Sequence, residues 1–216
     1  NRVTAWRFLN PPLAFANGIV VNQDGRRFCN EMVYGATLGD AMCEHNEGKA
    51  YLIIDAKLFE EAKIQSNEAL PFQRDMAKML MYFNAKKRKN LIDISKIYGL
   101  PPDNLISEVD EYNESAKAGA SCKFGKGAND VKELNGPFYI MDISIDSKLA
   151  PLTTLTLGGL TVNEETGEVL NQNKEEIKGL YAAGRTAVGI CSNIYVSGLS
   201  IADCIFSGRR IGQNLK

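Results

Sequence analysis

Hydrophobic and polar positions follow two periods along this chain, and the switches between them mark its elements. Gly18-Ile19-Val20-Val21 is an apolar run, Asn22-Gln23-Asp24-Gly25 a polar turn, and Arg26-Arg27-Phe28 a second extended piece. An apolar run, an Asn-x-Asp-Gly turn and a return predict a β-hairpin. Tyr51-Leu52-Ile53-Ile54-Asp55 predicts a short buried strand by its length and flanks. Spacing becomes helical over residues 56–66 and 71–87. In the second stretch Phe72, Met76, Met79, Leu80 and Phe83 fall near one face, which predicts a stripe turned to the core. The run Lys86-Lys87-Arg88-Lys89 then ends this helix, where cations suit the negative end of the dipole. Ile92 to Tyr98, closed by Gly99, predicts a short helix. Pro101-Pro102-Asp103 opens another through about Lys117, with Leu105, Val109 and Tyr112 on its apolar side.

Residues 121–136 are rich in Gly, Lys, Asn and Asp and read as a loop, followed by a strand over Phe138–Ile143 and a break at Pro151. Beyond Leu152 small residues and glycine dominate. Short β runs (Thr161-Val162-Asn163 and Glu168-Val169-Leu170) flank a turn at Thr166-Gly167, and Gly179-Leu180-Tyr181-Ala182-Ala183-Gly184 predicts a strand ending in glycine. A last helix runs from near Ser197-Gly198 toward Gln213, with Leu199, Ala202, Ile205 and Phe206 at helical spacing.

Composition narrows the chemistry. The 216 residues carry a formal charge of −1 and are 44% hydrophobic, which fits a folded globular protein and removes the footprint of a nucleic-acid binder. The basic run at Lys86–Lys89 is isolated and lacks interleaved aromatics, so it reads as a solvated helix end. No apolar run approaches the roughly 20 residues that span a bilayer, and the start is not a signal peptide. Five cysteines (Cys29, Cys43, Cys122, Cys191 and Cys204) contain no C-x-x-C pair, so neither a disulfide framework nor a metal site is expected. An odd count fits a reducing, cytoplasmic compartment in which each cysteine packs as a small apolar residue. The single histidine, His45, lies in a polar stretch and reads as a surface residue, so a mechanism built on several histidines is excluded.

Four ordered segments carry a resemblance. They are Asp24-Gly25-Arg26-Arg27-Phe28-Cys29-Asn30-Glu31, Glu111-Tyr112-Asn113, Gly136-Pro137-Phe138-Tyr139, and Gly158-Gly159-Leu160-Thr161-Val162-Asn163 followed by Ile177-Lys178-Gly179-Leu180-Tyr181-Ala182-Ala183-Gly184-Arg185. Together they resemble the fumarate reductase and 3-ketosteroid dehydrogenase flavoproteins. That resemblance implies an α/β fold: an α+β cap, here residues 1–150, and the C-terminal segment of a Rossmann-like FAD-binding domain, here residues 151–216. FAD is the implied cofactor. Its ADP half needs a G-x-G-x-x-G turn between a strand and a helix, and no such element occurs in these residues. The chain is therefore expected to be an excerpt whose partner is the N-terminal FAD-binding part of the same protein.

Within the family, the dicarboxylate branches grip two carboxylates with arginine and histidine, because each carboxylate needs a cationic or donor partner. Where they carry His-Gly-Ala-Asn-Arg, this chain reads Cys191-Ser192-Asn193-Ile194-Tyr195, and Thr154 stands at a further histidine position. The arginine expected after the Asn-Glu pair is absent from Met32-Val33-Tyr34-Gly35-Ala36-Thr37. Residues 185–200 instead resemble the branch that dehydrogenates 3-ketosteroids between C4 and C5. Resemblance implies an active-site group of Tyr195, Ser197 and, from the cap, Tyr34, acting on a small steroid-like ketone. Tyr195 would polarise the keto oxygen, and Ser197 with Tyr34 would transfer the proton.

It further implies a cofactor side of Gly158, Gly159, Gly184, Arg185, Gly198, Leu199 and Ser200, where missing Cβ atoms and helix amides suit a flat flavin. Each has a plainer reading: Tyr195 as a packed turn residue, Ser197 as a helix N-cap, Gly158-Gly159 as a turn. Two other functions remain open at this point. One is a related flavin reductase of another α,β-unsaturated carbonyl compound; the other is a non-catalytic fragment unable to hold FAD alone.

Overall fold

A computed structural model describes residues 3–7, 9, 12–150, 153–190, 192–193 and 195–215, with residues 3–6, 45 and 153–156 given by backbone alone. The elements, in chain order, are β1 (Val3–Trp6), α1 (Leu13–Ala16), β2 (Ile19–Val21), α2 (Gly35–His45), β3 (Tyr51–Asp55), α3 (Ala56–Glu68), α4 (Pro71–Met79), a π-turn (Leu80–Asn84) and β4 (Lys86–Arg88). They continue with α5 (Leu91–Tyr98), α6 (Pro102–Lys117), β5 (Phe138–Asp142), β6 (Thr153–Thr156), β7 (Glu168–Leu170), β8 (Glu176–Tyr181), a 3-10 turn (Gly184–Thr186) and α7 (Leu199–Asn214). This is a mixed α/β chain. It divides into two compact units, Trp6–Thr153 and the combination of Asn1–Ala5 with Thr154–Lys216.

The larger unit is organised around an antiparallel sheet in the order β2-β3-β5-β4. β3 is buried along its whole length and pairs with β5 from Tyr51 opposite Asp142 to Asp55 opposite Phe138. The turn after β2 closes as a tight loop, with Asn22 accepting from Gly25 N at 3.1 Å and donating to Arg26 O at 2.9 Å. The returning arm is reduced to one bridge, Val21 with Arg27. Asp55 ends β3 and starts α3, its carboxylate accepting from Leu58 N at 2.8 Å and from Asn135 N at 3.2 Å. This single side chain is both an N-cap and a tie to the distant loop before β5. Gly99 closes α5 at φ +70 in the left-handed region, as a C-terminal glycine should. Pro102 occupies the first turn of α6, where its missing N–H is harmless.

Two readings of the 71–87 stretch need correction. The helix stops at Met79, continues as a π-turn to Asn84, and gives way to β4. Lys86, Lys87 and Arg88 thus form an exposed edge strand paired with β5, and no helix end is there for their charges to complement. Asn84 makes the switch possible. Its amide donates to Asp142 O at 2.7 Å and accepts from Asp142 N at 2.8 Å, standing in for a ladder rung at the end of β5. The apolar stripe does not face the core either. Leu80 is buried, as are Ala77, Met81 and Asn84, but Phe72 and Phe83 are exposed and Met76 and Met79 only half-buried.

Charge is buried at the heart of this unit. Arg27 donates to Glu31 from Nε at 2.9 Å and from its terminal nitrogen at 2.8 Å. Lys126 Nζ donates to the same carboxylate at 3.1 Å and to Gly18 O at 2.6 Å, while Val20 N adds a fourth bond at 3.0 Å. All three side chains are buried, and Tyr112 lies beneath both cations, its ring centre 4.9 Å from Arg27 and 4.8 Å from Lys126. Lys123 adds a second staple from the same loop, donating to the buried Glu108 at 3.1 Å. Segment 121–127, part of the expected loop, is fastened by its two lysines to two buried carboxylates. Near the unit's start, Arg7 donates to Ser144 O at 2.9 Å and Ala150 O at 3.0 Å. Burial lowers its pKa to about 10, against the opposing pull of Asp142.

In the smaller unit β1 pairs with β6 and β7 pairs antiparallel with β8. Within the expected strand at 161–163, Val162 forms a single bridge to Val169, and the strand expected to reach Gly184 ends at Tyr181. Cys29 and Cys122 are buried, as their packing role requires, whereas Cys43 and Cys204 are exposed. Cys191 and Ile194 lie outside the described residues, as do the side chains of His45 and Thr154. No described helix is long and apolar enough to cross a membrane.

Candidate active site

Four of the cofactor-side residues come together in the smaller unit. Gly158, Gly184, Arg185 and Ser200 line one cleft of about 20 Å³, room for a single water, together with Gly189 and Asp203. The reason lies in how the 3-10 turn packs on α7. Gly184 sits at φ +56, and a Cβ there would stand 2.8 Å from Cys204 Sγ. Its N–H donates to Ser207 Oγ at 2.9 Å. A Cβ on Gly159 would lie 2.5 Å from Thr186 O and 2.7 Å from Ala187 C. Leu160 N then donates to Thr186 O at 2.8 Å, and Val188 N to Leu160 O at 2.9 Å. Gly159 therefore lacks a side chain because backbone passes over it, an internal demand separate from any approach of a flavin.

α7 opens at Leu199 with Gly198 as its N-cap at φ +90 and no side-chain cap. Ser197 immediately precedes this cap residue. Nothing stands within 4 Å of where a Gly198 Cβ would project, so this helix start is open. Ser200 Oγ in the first turn is buried without a hydrogen-bond partner. Helix N-termini carry unsatisfied amides and partial positive charge. An unpartnered hydroxyl at a helix start is therefore a seat for an electron-rich polar group.

Tyr195 is half-buried and Ser197 exposed, four and two residues before this helix. Tyr34 belongs to the larger unit, where it precedes α2 as the N-cap residue without a side-chain cap and is 39% exposed. Asp203 is a residue that sequence reasoning missed. Its carboxylate lies against Gly189, and it lines both the small cleft and a neighbouring cavity of about 460 Å³. The available signal was a carboxylate set among the apolar positions of α7. There Asp203 and Ser207 are buried, while Ile201, Ile205 and Phe206 face outward.

Residues 12–198 match the model of the FAD binding domain family. The chain belongs to that family. Among its relatives, the 3-oxo-5-alpha-steroid 4-dehydrogenase of Comamonas testosteroni is 41% identical over 187 residues, which cover 85% of this chain and 35% of the relative. A probable fumarate reductase of Shewanella frigidimarina is 28% identical over 196 residues, covering 91% of this chain and 30% of the relative. The chain thus spans about a third of the length of these curated relatives. Among solved structures, the 3-ketosteroid-delta4-(5alpha)-dehydrogenase of Rhodococcus jostii, in complex with 4-androstene-3,17-dione, superposes with a TM-score of 0.79. It is 31% identical, and the match covers 98% of this chain and 41% of that one.

FAD is the cofactor of this family, and the residues present fit part of it. The unpartnered Ser200 hydroxyl, buried at the open start of α7, suits a polar edge such as that of an isoalloxazine. Gly158, Gly184 and Arg185 share its cleft.

Proposed function

We propose that this chain is the cap, residues 1–150, and the C-terminal FAD-facing segment, residues 151–216, of an FAD-dependent oxidoreductase that dehydrogenates a 3-ketosteroid beside its carbonyl. The observation that carries this reading is the neutral set at the family's cationic positions. Tyr195 and Thr154 stand there, with no arginine after Glu31 in residues 32–37. The 41% identity to a steroid 4-dehydrogenase supports it.

A dicarboxylate would meet no cation at those positions, whereas an apolar ketone needs one good donor and no charge. FAD, when bound, supplies a two-electron acceptor for the hydride leaving the β-carbon. In our reading Tyr195 donates its phenol O–H to the 3-keto oxygen and stabilises the enolate-like charge that builds there. Ser197, with Tyr34 from the cap, relays the α-proton, accepting it as its own hydroxyl proton passes on toward solvent while the C4–C5 double bond forms. Gly158, Gly159, Gly184, Arg185, Gly198, Leu199 and Ser200 form the cofactor side, where the open helix start offers amides without a competing side-chain cap. The partner this reading requires is the N-terminal FAD-binding part of the same protein. The outward Ile201, Ile205 and Phe206 of α7 suit contact with it.

The test is a turnover assay of the full-length protein with a 5α-3-ketosteroid and an artificial electron acceptor. Steroid turnover is expected, and Tyr195→Phe should lower kcat by at least about a hundredfold, the range for removing one oxyanion donor, with Tm unchanged. Absence of steroid turnover combined with reduction of an enoate would transfer the protein to the reductase branch. Equal losses of activity and stability in Tyr195→Phe would make Tyr195 a packing residue.

A further inference from the structure

Phe72, Met76, Met79 and Phe83 lie outside the core, over roughly 16 Å of α4 and the π-turn. Phe72 is 56% exposed, Tyr82 63% and Phe83 66%, so large rings stand in solvent on a face that no described element covers. Isolated exposed apolar residues are ordinary; a continuous stripe is not. Its surroundings have a definite charge. Residues 70–90 contain Arg74, Lys78, Lys86, Lys87, Arg88 and Lys89 against the single carboxylate Asp75, in a chain whose formal charge is −1.

Geometry brings cations and rings together. Phe59 and Tyr139 stack with centroids 3.9 Å apart and planes 5° from parallel. Lys63 Nζ stands 5.0 Å over the Phe59 ring, and Lys87 Nζ 5.3 Å over Tyr139. Lys63 Nζ is ion-paired with Glu60 Oε1 at 2.7 Å. The cations of the rim are the exposed Lys86, Lys87 and Arg88 of β4.

We propose that this face of the larger unit docks on a lipid bilayer bearing anionic headgroups, with Phe72, Met76, Met79, Tyr82 and Phe83 at the acyl boundary and the lysines on headgroup phosphates. Aromatic rings rimmed by lysine and arginine are the side-chain chemistry of the membrane–water interface, and charge complementarity selects an anionic surface. Such a helix lies on the membrane and does not span it. A nucleic acid would use the same cations but would leave Met76, Met79 and Phe72 without a role. The proposal stands apart from the reaction assigned above, since nothing in it depends on the substrate.

The test is co-sedimentation of the full-length, FAD-loaded protein with vesicles of phosphatidylcholine alone or mixed equally with phosphatidylglycerol. Binding to the mixed vesicles is expected, weak on neutral ones and falling as salt is raised. Lys86→Gln/Lys87→Gln should lower partitioning about 25-fold, from the roughly fivefold that each cation contributes at an anionic surface. Tyr82→Ser/Phe83→Ser should lower it comparably, with flavin absorbance and Tm unchanged. No binding by the wild-type protein, or variants that bind as it does, would overturn the proposal. So would a wild-type dimer that Tyr82→Ser/Phe83→Ser dissociates, a loss of bound FAD or Tm in that variant, or retention of RNA in place of vesicles.

Discussion

Replacing Glu31 with glutamine tests the central electrostatic argument. The carboxylate accepts four hydrogen bonds, two from Arg27 at 2.9 and 2.8 Å, one from Lys126 at 3.1 Å and one from Val20 N at 3.0 Å. Glutamine keeps the size but offers one acceptor oxygen, and it turns an NH2 group toward the donors of Arg27 or Lys126. Two buried cations are then left without a counter-charge. Breaking a buried ion pair in this way costs about 3–5 kcal/mol, because the surviving charges cannot recover their hydration. Urea unfolding followed by circular dichroism should show that loss as a lower midpoint with an unchanged m-value.

The pH dependence has a definite sign. Burial pushes the Glu31 carboxyl upward, but Lys126 and Arg27 outweigh it and hold the group below 4.5. A carboxyl whose folded pKa is depressed contributes its full stability above the unfolded value, and loses it as the pH falls through the folded one. The gap between wild type and Glu31→Gln should therefore be complete above about pH 5 and close on further acidification. A gap below about 1 kcal/mol at neutral pH, the range of an exposed pair, would refute the reasoning.

Two further substitutions probe backbone demands. Gly159→Ala should lower stability by about 1–3 kcal/mol, the range for overpacking, since its Cβ would meet Thr186 O at 2.5 Å; an unchanged Tm would mean that the turn yields. Asn84→Ala should cost about 2–3 kcal/mol by removing both bonds to the Asp142 backbone. A thermal melt reads this, and a shift within error would show that Asn84 does not hold the π-turn against β5.

Where local chemistry decides an element, these residues declare it. Gly99 can adopt the left-handed conformation that ends α5, and Pro102 suits the first turn of α6. The neutral residues at 32–37 and at Tyr195 bear on the proposed substrate class only through the family resemblance that says what stands there in other branches. What was not legible depends on partners far along the chain. Lys86–Arg88 resembles a cationic helix end until β5, fifty residues later, offers it an edge to join. Periodicity gives Phe72, Met76, Met79 and Phe83 one face but cannot say whether anything covers it, and the π-turn then shifts the register that the next residues would follow. Lys126 sits in a segment of glycine and lysine with no local sign that it is buried. Asp203 was hidden by the opposite effect, because the apolar positions around it suggested an inward face that the fold turns outward.

The lock at Glu31 also sets a timetable for biosynthesis. Lys126 follows Glu31 by 95 residues and Gly18 by 108. At about 5–20 residues per second, the ribosome delivers it roughly 5–20 s after Glu31. Over the same interval β3 has β2 on one side and an open edge on the other, since β5 is made later still. A nascent chain in that state exposes the Tyr51–Asp55 edge and an anion still lacking one of its two cations. It therefore depends on the emergence of residues 122–142 to leave the reach of chaperones and unwanted strand pairing.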